Sequence, residues 1–241
     1  KLIYEGEYLN GIRHGNGKEY YERNLIYVGN FCEGKRNGKG EEYHRGYLIY
    51  EGEFFNGLRK GNGKEYHKFS PLAYMLSNFD KYYYSDNEHN YENDEIIFEG
   101  EFLNGKRWKG KGKEYFKEKE IVFEGEYFEG KKWSGYGYNI NGDLEFEIKD
   151  GQGNVVEFDY DGHKIFEGEY KNGERNGHGK EYVNNEILSY EGEYENGKRN
   201  GIGKEYDCDG EFFEVEFQNG IQVNEEVDND SFCVFSDSES D

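Results

Sequence analysis

Six arginines recur at the same point of a repeated sequence phrase, and they are the side chains of this chain best suited to bind a ligand. The planar guanidinium group binds carboxylate and phosphate groups through several donors at once. If the copies stack in register, the arginines form a candidate anionic-ligand ladder for acidic peptides or lipid headgroups. Its members are Arg13, Arg36, Arg59, Arg107, Arg175 and Arg199, and a parallel lysine row is Lys18, Lys64, Lys113, Lys180 and Lys204.

An equally regular row of glutamates offers these cations internal partners. Opposite charges across neighbouring strands stabilise a sheet by ~0.2–1 kcal/mol per pair. Acidic residues outnumber basic residues 52 to 30, and this excess favours internal pairing over ligand binding. The expected partners are Glu7, Glu53, Glu101, Glu126, Glu169 and Glu193.

Other motifs have plain structural explanations. Gly15-Asn16-Gly17-Lys18 has the composition of a phosphate loop, but no helix is predicted after it to supply the N-terminal amides. Two Asp-x-Asp-Gly segments, at Asp159 and Asp207, place glycine too early for an EF-hand and are typical of hairpin turns. The six histidines are scattered. We therefore predict no catalytic, cofactor-binding or metal-ligating residues and no enzyme activity.

The phrase that carries these residues, Y-E-G-E-Y-x-N-G-x-R-x-G-x-G-K-E-Y, implies β-hairpins. Alternation of rings and glutamates predicts a strand with one aromatic and one charged face. Asn-Gly is a strong hairpin-turn signal, and a second strand follows it. The phrase begins at Tyr4, Tyr27, Tyr50, Phe98, Phe123, Phe166 and Tyr190, with a partial copy at Phe213.

A fixed period of this length is typical of repeat proteins. We predict an all-β fold, an elongated single-layer antiparallel β-meander of tandem hairpins. Within each first strand a glycine is expected to leave room for an aromatic ring of the adjoining strand. These structural glycines are Gly6, Gly29, Gly52, Gly100, Gly125, Gly168 and Gly192.

The second ring of each phrase occupies one common strand position. Exposed rings on a single-layer sheet would form an apolar patch of the kind that marks binding sites, although packing within the array is an equal alternative. This candidate interaction face comprises Tyr8, Phe31, Phe54, Phe102, Tyr127, Tyr170 and Tyr194.

Spacing divides the chain into segments. Residues 1–66 hold repeats 1–3, and residues 98–220 hold repeats 4–7, a degenerate repeat at 138–165 that continues the sheet, and a partial C-terminal repeat. Residues 67–97 lack the pattern and are predicted to be a disordered insertion. Residues 221–241 are predicted to be an acidic disordered tail.

Composition limits the function classes. A net charge of −22 opposes binding to nucleic acid. Three cysteines without paired spacing suit a reducing compartment. No apolar run approaches the length of a membrane span. The chain begins with Lys1 instead of methionine, so we expect the N-terminus to be truncated.

The residues Tyr190-Glu191-Gly192-Glu193-Tyr194 and Asn196-Gly197-Lys198-Arg199-Asn200-Gly201 resemble the MORN repeat (membrane occupation and recognition nexus). The following Gly203-Lys204-Glu205-Tyr206 is similar to a variant repeat of bacterial antitoxin-like proteins. Val28 and Asn30 depart from the pattern, and the turns after Gly105 and Gly130 carry one extra residue before the next glycine.

The resemblance implies a non-enzymatic cytoplasmic scaffold or tether for protein partners. In some members it implies dimerisation or attachment to phosphoinositide membranes, and a peripheral location at a membrane or cytoskeletal structure remains open. MORN arrays also accompany enzymes, so a regulatory region of a larger enzyme is a further alternative.

Overall fold

The computed structural model describes residues 1–66, 95–116, 120–183 and 187–223, and every regular element in these ranges is a β-strand. The chain divides into two compact units, Lys1–Lys132 and Trp133–Asp241. The first unit contains β1 (Leu2–Leu9), β2 (Ile12–Tyr21), β3 (Asn24–Cys32), β4 (Lys35–His44), β5 (Tyr47–Phe55), β6 (Leu58–Tyr66), β7 (Ile96–Leu103), β8 (Lys106–Tyr115) and β9 (Ile121–Phe128).

Strand β10 (Lys131–Tyr138) begins at the boundary of the units. The second unit continues with β11 (Leu144–Ile148), β12 (Gly153–Phe158), β13 (Lys164–Lys171), β14 (Glu174–Val183), β15 (Ile187–Glu195), β16 (Lys198–Tyr206), β17 (Phe212–Gln218) and β18 (Ile221–Gln222). Strands β1 to β9 pair antiparallel in chain order, and so do β12 to β18. The predicted all-β meander of consecutive hairpins is confirmed.

The predicted Asn-Gly turns are present because both turn residues adopt left-handed backbone angles. Asn10 and Gly11 have φ of 52° and 77°, and Asn196 and Gly197 have 50° and 79°. Two successive positive φ angles characterise the type I′ turn, whose twist matches that of the flanking strands. The local sequence therefore sets the position of each hairpin.

The turns also stack on one another. The Gly57 amide donates a hydrogen bond to the Arg36 carbonyl (2.9 Å), and the Gly105 amide donates to the Arg59 carbonyl (3.0 Å). In the second unit Gly197 donates to Arg175 in the same way (2.9 Å). Each hairpin is thus fixed to the one before it at the turn end.

Most hairpins contain a wide bulge beside the second ring. Phe54 lies opposite Arg59 and Gly52 lies opposite Gly63, so three residues of β6 face Glu53 alone. Gly61 within this bulge has a φ of +88°, a left-handed conformation that glycine adopts without steric cost.

The extra residue after Gly105 changes this bulge without changing the fold. Phe102 still lies opposite Arg107, but Glu101 lies opposite Lys109, so only Trp108 is out of register. The extra residue therefore changes the strand pairing only beside the turn.

The structural glycines form rows across the strands, and their role differs from the one predicted. Gly29 lies opposite Gly40 on one side and Gly17 on the other. A methyl group on Gly29 would lie 2.5 Å from the Cα of Gly40 and 2.5 Å from the phenol oxygen of Tyr27. The covering ring therefore comes from two residues earlier in the same strand and extends over the neighbouring glycine as well.

Two of the predicted segment boundaries need correction. Residues 67–94 of the predicted insertion and residues 224–241 of the predicted tail lie outside the described residues, whereas Ile96 and Ile97 belong to β7 and Ile221 and Gln222 to β18. In the degenerate repeat, β11 pairs with β10 and β12 pairs with β13. The predicted continuity of the sheet fails there, because β11 and β12 belong to different sheets and an isolated bridge, Lys149–Gln152, links their ends.

Candidate interaction surfaces

Two rows of rings interlock on one face of the first unit. The first-ring row comprises Tyr4, Tyr27, Tyr50, Phe98 and Phe123, and the second-ring row comprises Tyr8, Phe31, Phe54, Phe102 and Tyr127. Each second ring except Tyr8 packs edge-to-face between two first rings, and Tyr8 packs against Tyr4 alone. Phe54, for example, lies 5.1 Å from Tyr27 and 5.3 Å from Tyr50, centre to centre. Such pairs stabilise by ~0.5–1.5 kcal/mol beyond burial, so the row is a continuous core.

The same arrangement recurs in the second unit, where the first rings are Phe166 and Tyr190 and the second rings are Tyr170, Tyr194 and Phe217. Tyr194 lies 5.3 Å from Phe166 and 5.8 Å from Tyr190. Phe217, from the partial C-terminal copy, extends the row and packs 5.6 Å from Tyr190. Val215 and Phe217 are buried with these rings.

The candidate interaction face was expected to expose its rings, and the structure corrects this expectation because most of these rings are buried. Phe31, Phe54, Phe102, Tyr127 and Tyr194 are between 3% and 5% exposed, and Tyr170 is partly buried. Tyr8 alone in this set stays exposed, at 57%. The physical reason is that neighbouring repeats bring first rings to both sides of the buried second rings, whereas Tyr8, in the first repeat, packs against Tyr4 alone. Packing within the array, the alternative reading, accounts for these residues.

The six arginines lie over the first rings. The guanidinium carbon is 4.4 Å from the Tyr27 ring centre for Arg36 and 4.2 Å from the Tyr50 ring centre for Arg59. Arg175 lies 4.0 Å from the centre of Phe166. A cation over an aromatic face is worth ~0.5–2 kcal/mol. The arginines thus cover the rings that the thin sheet would otherwise expose.

Each arginine head group is also paired with carboxylates. Arg36 donates from Nε to Glu19 (2.8 Å) and from Nη1 to Glu42 (2.7 Å), and Arg59 donates to Glu42 (2.6 Å) and Glu65 (3.0 Å). Arginine and glutamate therefore alternate along the row, and each interior glutamate bridges two repeats. The remaining pairs are Arg13–Glu19, Arg107–Glu65, Arg175–Glu157, Arg175–Glu181, Arg199–Glu181 and Arg199–Glu205.

The partner glutamates are not the ones expected from sequence. Glu19, Glu65, Glu181 and Glu205 belong to a Lys-Glu-Tyr segment six residues after an arginine, and Glu42 has the same spacing from Arg36. This spacing could have identified them, whereas Glu157, in the degenerate repeat, does not share it. The expected row lies instead beside the bulges. Glu7 accepts a hydrogen bond from the backbone amide of Asn16 (3.1 Å), and Glu126 lies 3.7 Å from Lys111. The anionic-ligand ladder stays a prediction, but its cations already have internal partners.

Burial and pairing shift the ionisation of these groups. Burial opposes ionisation of Glu181, but hydrogen bonds from Arg199 and Tyr194 and the charge of Arg175 hold its pKa below the usual value. Burial raises the pKa of Tyr50 to about 12. The row is therefore most stable with its carboxylates charged and its phenols neutral.

The lysine row is more exposed and more loosely paired. Lys64 lies 3.8 Å from both Glu51 and Glu99, and Lys180 lies 3.7 Å from Glu191. Exposed pairs at these distances contribute ~0–1 kcal/mol. Lys113 is 3.1 Å from Glu95, and Lys204 lies over Phe212.

The remaining motifs are structural. Gly15 to Lys18 lie within β2. The Asp159 carboxylate accepts hydrogen bonds from the amides of Asp161 and His163, both at 2.9 Å, which closes a hairpin turn. In the part of the chain that the structure describes, no group of three or more His, Cys, Asp or Glu residues could hold a metal ion, and no helix is long and apolar enough to cross a membrane.

Comparison with known proteins identifies the repeat. The MORN repeat family matches residues 4–24, 27–45, 50–68, 98–118, 166–186 and 190–212, just over half of the chain. No curated protein matches the chain.

The copy at Phe123 lies outside the matched ranges, although it forms the hairpin turn between β9 and β10. Lys132 stands there at the arginine position, 2.9 Å from Glu114 and 5.0 Å from the Phe123 ring centre. On its repeats and its hairpin fold, this chain belongs to the MORN-repeat family.

Proposed function

We propose that this chain is a non-enzymatic scaffold or tether that binds protein partners in the cytoplasm. MORN repeats generally act as scaffolds or as membrane-associated modules, and the family is generally non-catalytic. A protein scaffold is favoured because the residues that recur in every repeat contact one another within the sheet. The recurring rings are buried and the recurring arginines are paired with glutamates.

Partner binding then depends on residues that differ between repeats. The position after the second ring is Leu9, Cys32, Phe55, Leu103 and Phe128 in the first unit, but Lys171 and Glu195 in the second. Variable side chains on a common framework can give each repeat a distinct partner preference. A membrane module would instead use a uniform row of cations, and the arginines suited to that role are neutralised by Glu19, Glu42, Glu65 and Glu181.

The test compares protein binding with lipid binding in the full chain. Affinity capture would identify partners, and each purified partner would then be titrated against the chain. Sedimentation with phosphoinositide-containing vesicles, with and without Arg175→Glu plus Arg199→Glu, measures the membrane alternative. Saturable binding of a purified protein without vesicle sedimentation supports the scaffold. Vesicle sedimentation at physiological salt without a saturable protein partner would overturn it.

A further inference from the structure

Asn-Gly pairs occupy several hairpin turns of this chain, and such pairs react in water without an enzyme. The backbone nitrogen of the glycine loses its proton and attacks the side-chain carbonyl carbon of the asparagine. The new carbon–nitrogen bond closes a succinimide ring, and the side-chain amide nitrogen leaves as ammonia. Water then opens the ring to aspartate or isoaspartate. Glycine favours this reaction because it has no side chain to hinder the close approach.

Three of these turns in the first unit have the same conformation at the asparagine. Asn10, Asn56 and Asn104 each have a φ of 52°, and all three side chains are exposed. Backbone conformation and access to water therefore do not distinguish the three turns. A difference in their reactivity has to come from the bonding of the glycine nitrogen or from the ease with which each hairpin opens.

The glycine nitrogen is bonded in two of the three turns. The Gly57 amide donates a hydrogen bond to the Arg36 carbonyl (2.9 Å), and the Gly105 amide donates to the Arg59 carbonyl (3.0 Å). Among the residues that the structure describes, the Gly11 amide donates no hydrogen bond. Because the nitrogen attacks only after it loses its proton, donation to a carbonyl opposes the reaction. Gly11 therefore has the most reactive nitrogen of the three.

The hairpin that contains Gly11 is also held less firmly than its neighbours. In the described part of the chain, β1 pairs with β2 alone. Tyr8 is 57% exposed and packs against Tyr4 alone, whereas Phe54 is 3% exposed between two rings. Segments with few buried contacts open at low free-energy cost. Such opening lets the side chain of Asn10 reach the Gly11 nitrogen.

The second unit supplies further turns in which the glycine nitrogen is bonded. Gly197, which follows Asn196, donates to the Arg175 carbonyl at 2.9 Å, and Gly220 donates to the Arg199 carbonyl at 2.8 Å. These turns have the same Asn-Gly sequence as the turn at Asn10. The sequence pair alone therefore does not separate the reactive turn from the others.

We propose that Asn10 is a site of spontaneous deamidation in the folded chain, whereas the bonded turns at Asn56, Asn104 and Asn196 are protected. The reaction adds a carboxylate to the β1–β2 turn, and the isoaspartate product also lengthens the turn backbone. Because the length of a hairpin loop fixes the strand register, the isoaspartate product weakens the pairing of β1 with β2. This modification site is independent of the proposed scaffold function.

The test incubates the full chain at neutral pH and measures aspartate and isoaspartate at each turn by mass-spectrometric peptide mapping. We expect Asn10 to react roughly two- to tenfold faster than Asn56, the rate factor that corresponds to one hydrogen bond. Incubation in guanidinium chloride is the control. Unfolding removes the hydrogen bond of Gly57, so the two rates should become nearly equal.

A pair of matched variants gives a second measurement. Asn10→Gly keeps a residue that adopts positive φ without steric cost and removes the reactive amide. Ion-exchange chromatography of the incubated chain should then show slower accumulation of the more acidic product. Asn56→Gly makes the same change at a protected turn and should slow this accumulation much less.

Equal rates at Asn10 and Asn56 in the folded chain would overturn the proposal. It also fails if Asn10 keeps its full advantage in guanidinium chloride, because the local sequence would then set the rate instead of the hydrogen bond. An equal effect of Asn10→Gly and Asn56→Gly on the acidic product would exclude Asn10 as the preferred site.

Discussion

The guanidinium carbon of Arg199 lies 3.9 Å from the centre of the Tyr190 ring, so one side chain joins the aromatic row to the charged row. Arg199 also pairs with Glu181 and with Glu205, the latter at 2.7 Å. The ring is fully buried in a thin sheet because the guanidinium lies over it. Aromatic burial and ion pairing are therefore coupled in each repeat.

Phe54→Ala should strongly destabilise the first unit. Phe54 is 3% exposed between two rings, and removal of a buried phenylalanine costs ~3–5 kcal/mol. Urea unfolding of the full chain measures the change. Phe55→Ala, one residue later, is the control and should change stability by less than about 0.5 kcal/mol. Equal losses for the two variants would contradict the assignment of Phe54 to the core.

Gly192→Val should destabilise the second unit more than strand propensity predicts. A Cβ at this position would lie 2.7 Å from the Tyr190 Cζ and 2.9 Å from the Gly203 Cα. Because overpacking costs ~1–3 kcal/mol, we expect a loss of that order in thermal or urea unfolding. Glu193→Val introduces the same side chain at an exposed neighbouring position. If Gly192→Val is no less stable than Glu193→Val, close packing over the glycine row is refuted.

The Arg199–Glu181 pair should show strong coupling in a double-mutant cycle. The two side chains are 24% and 23% exposed, so removal of one partner should cost less than the ~3–5 kcal/mol of a fully buried pair, although the remaining charge still loses its partner. We expect Arg199→Met with Glu181→Gln to lose clearly less stability than the sum of the single variants. Lys180→Met, whose exposed amine is 3.7 Å from Glu191, should lose less than about 1 kcal/mol. If the double variant loses as much stability as the two single variants together, Arg199 and Glu181 do not stabilise each other.

Acid should destabilise the second unit through Glu181. Its folded-state pKa is held below the ordinary value of 4.5, despite burial, mainly by Arg199. The charged carboxylate therefore contributes stability that is fully present above about pH 4.5. This contribution is lost as the pH falls below 4.5 and through the lowered folded-state pKa.

Urea unfolding across this acidic range measures the effect. Glu181→Gln should unfold with a flatter pH dependence than the unmodified chain. If both proteins show the same dependence of stability on pH, the lowered pKa of Glu181 is contradicted.

Tyr190→Phe should cost less stability than Tyr50→Phe. Among the described residues, the buried Tyr190 hydroxyl lacks a hydrogen-bond partner, whereas the Tyr50 hydroxyl donates to the Glu53 carbonyl (3.2 Å). Removal of an unpaired buried hydroxyl is neutral or stabilising, and loss of a hydrogen bond costs ~0.5–1.5 kcal/mol. Thermal unfolding compares the two. A larger loss at Tyr190 than at Tyr50 would contradict this description of the hydroxyls.

The turns and strands were predictable because their causes are local. Asn-Gly at positions 10 and 11 favours positive φ at both residues, and alternation of Tyr4, Gly6 and Tyr8 predicts a strand with one ring face. The observed β1 and β2 follow that prediction. The repeat spacing likewise determined the order of the hairpins, since each copy can pair only with its neighbours along a meander.

The sequence by itself determined which residues recur and which elements they form. Only the tertiary structure decided what those residues contact. A bulge beside Glu53 shifts the strands relative to each other, and this shift places Arg59 beside Glu42 and Glu65 instead of the glutamates expected from spacing. Burial of Phe54 depends on rings from two different repeats, so no single phrase could distinguish an exposed ring from a buried one.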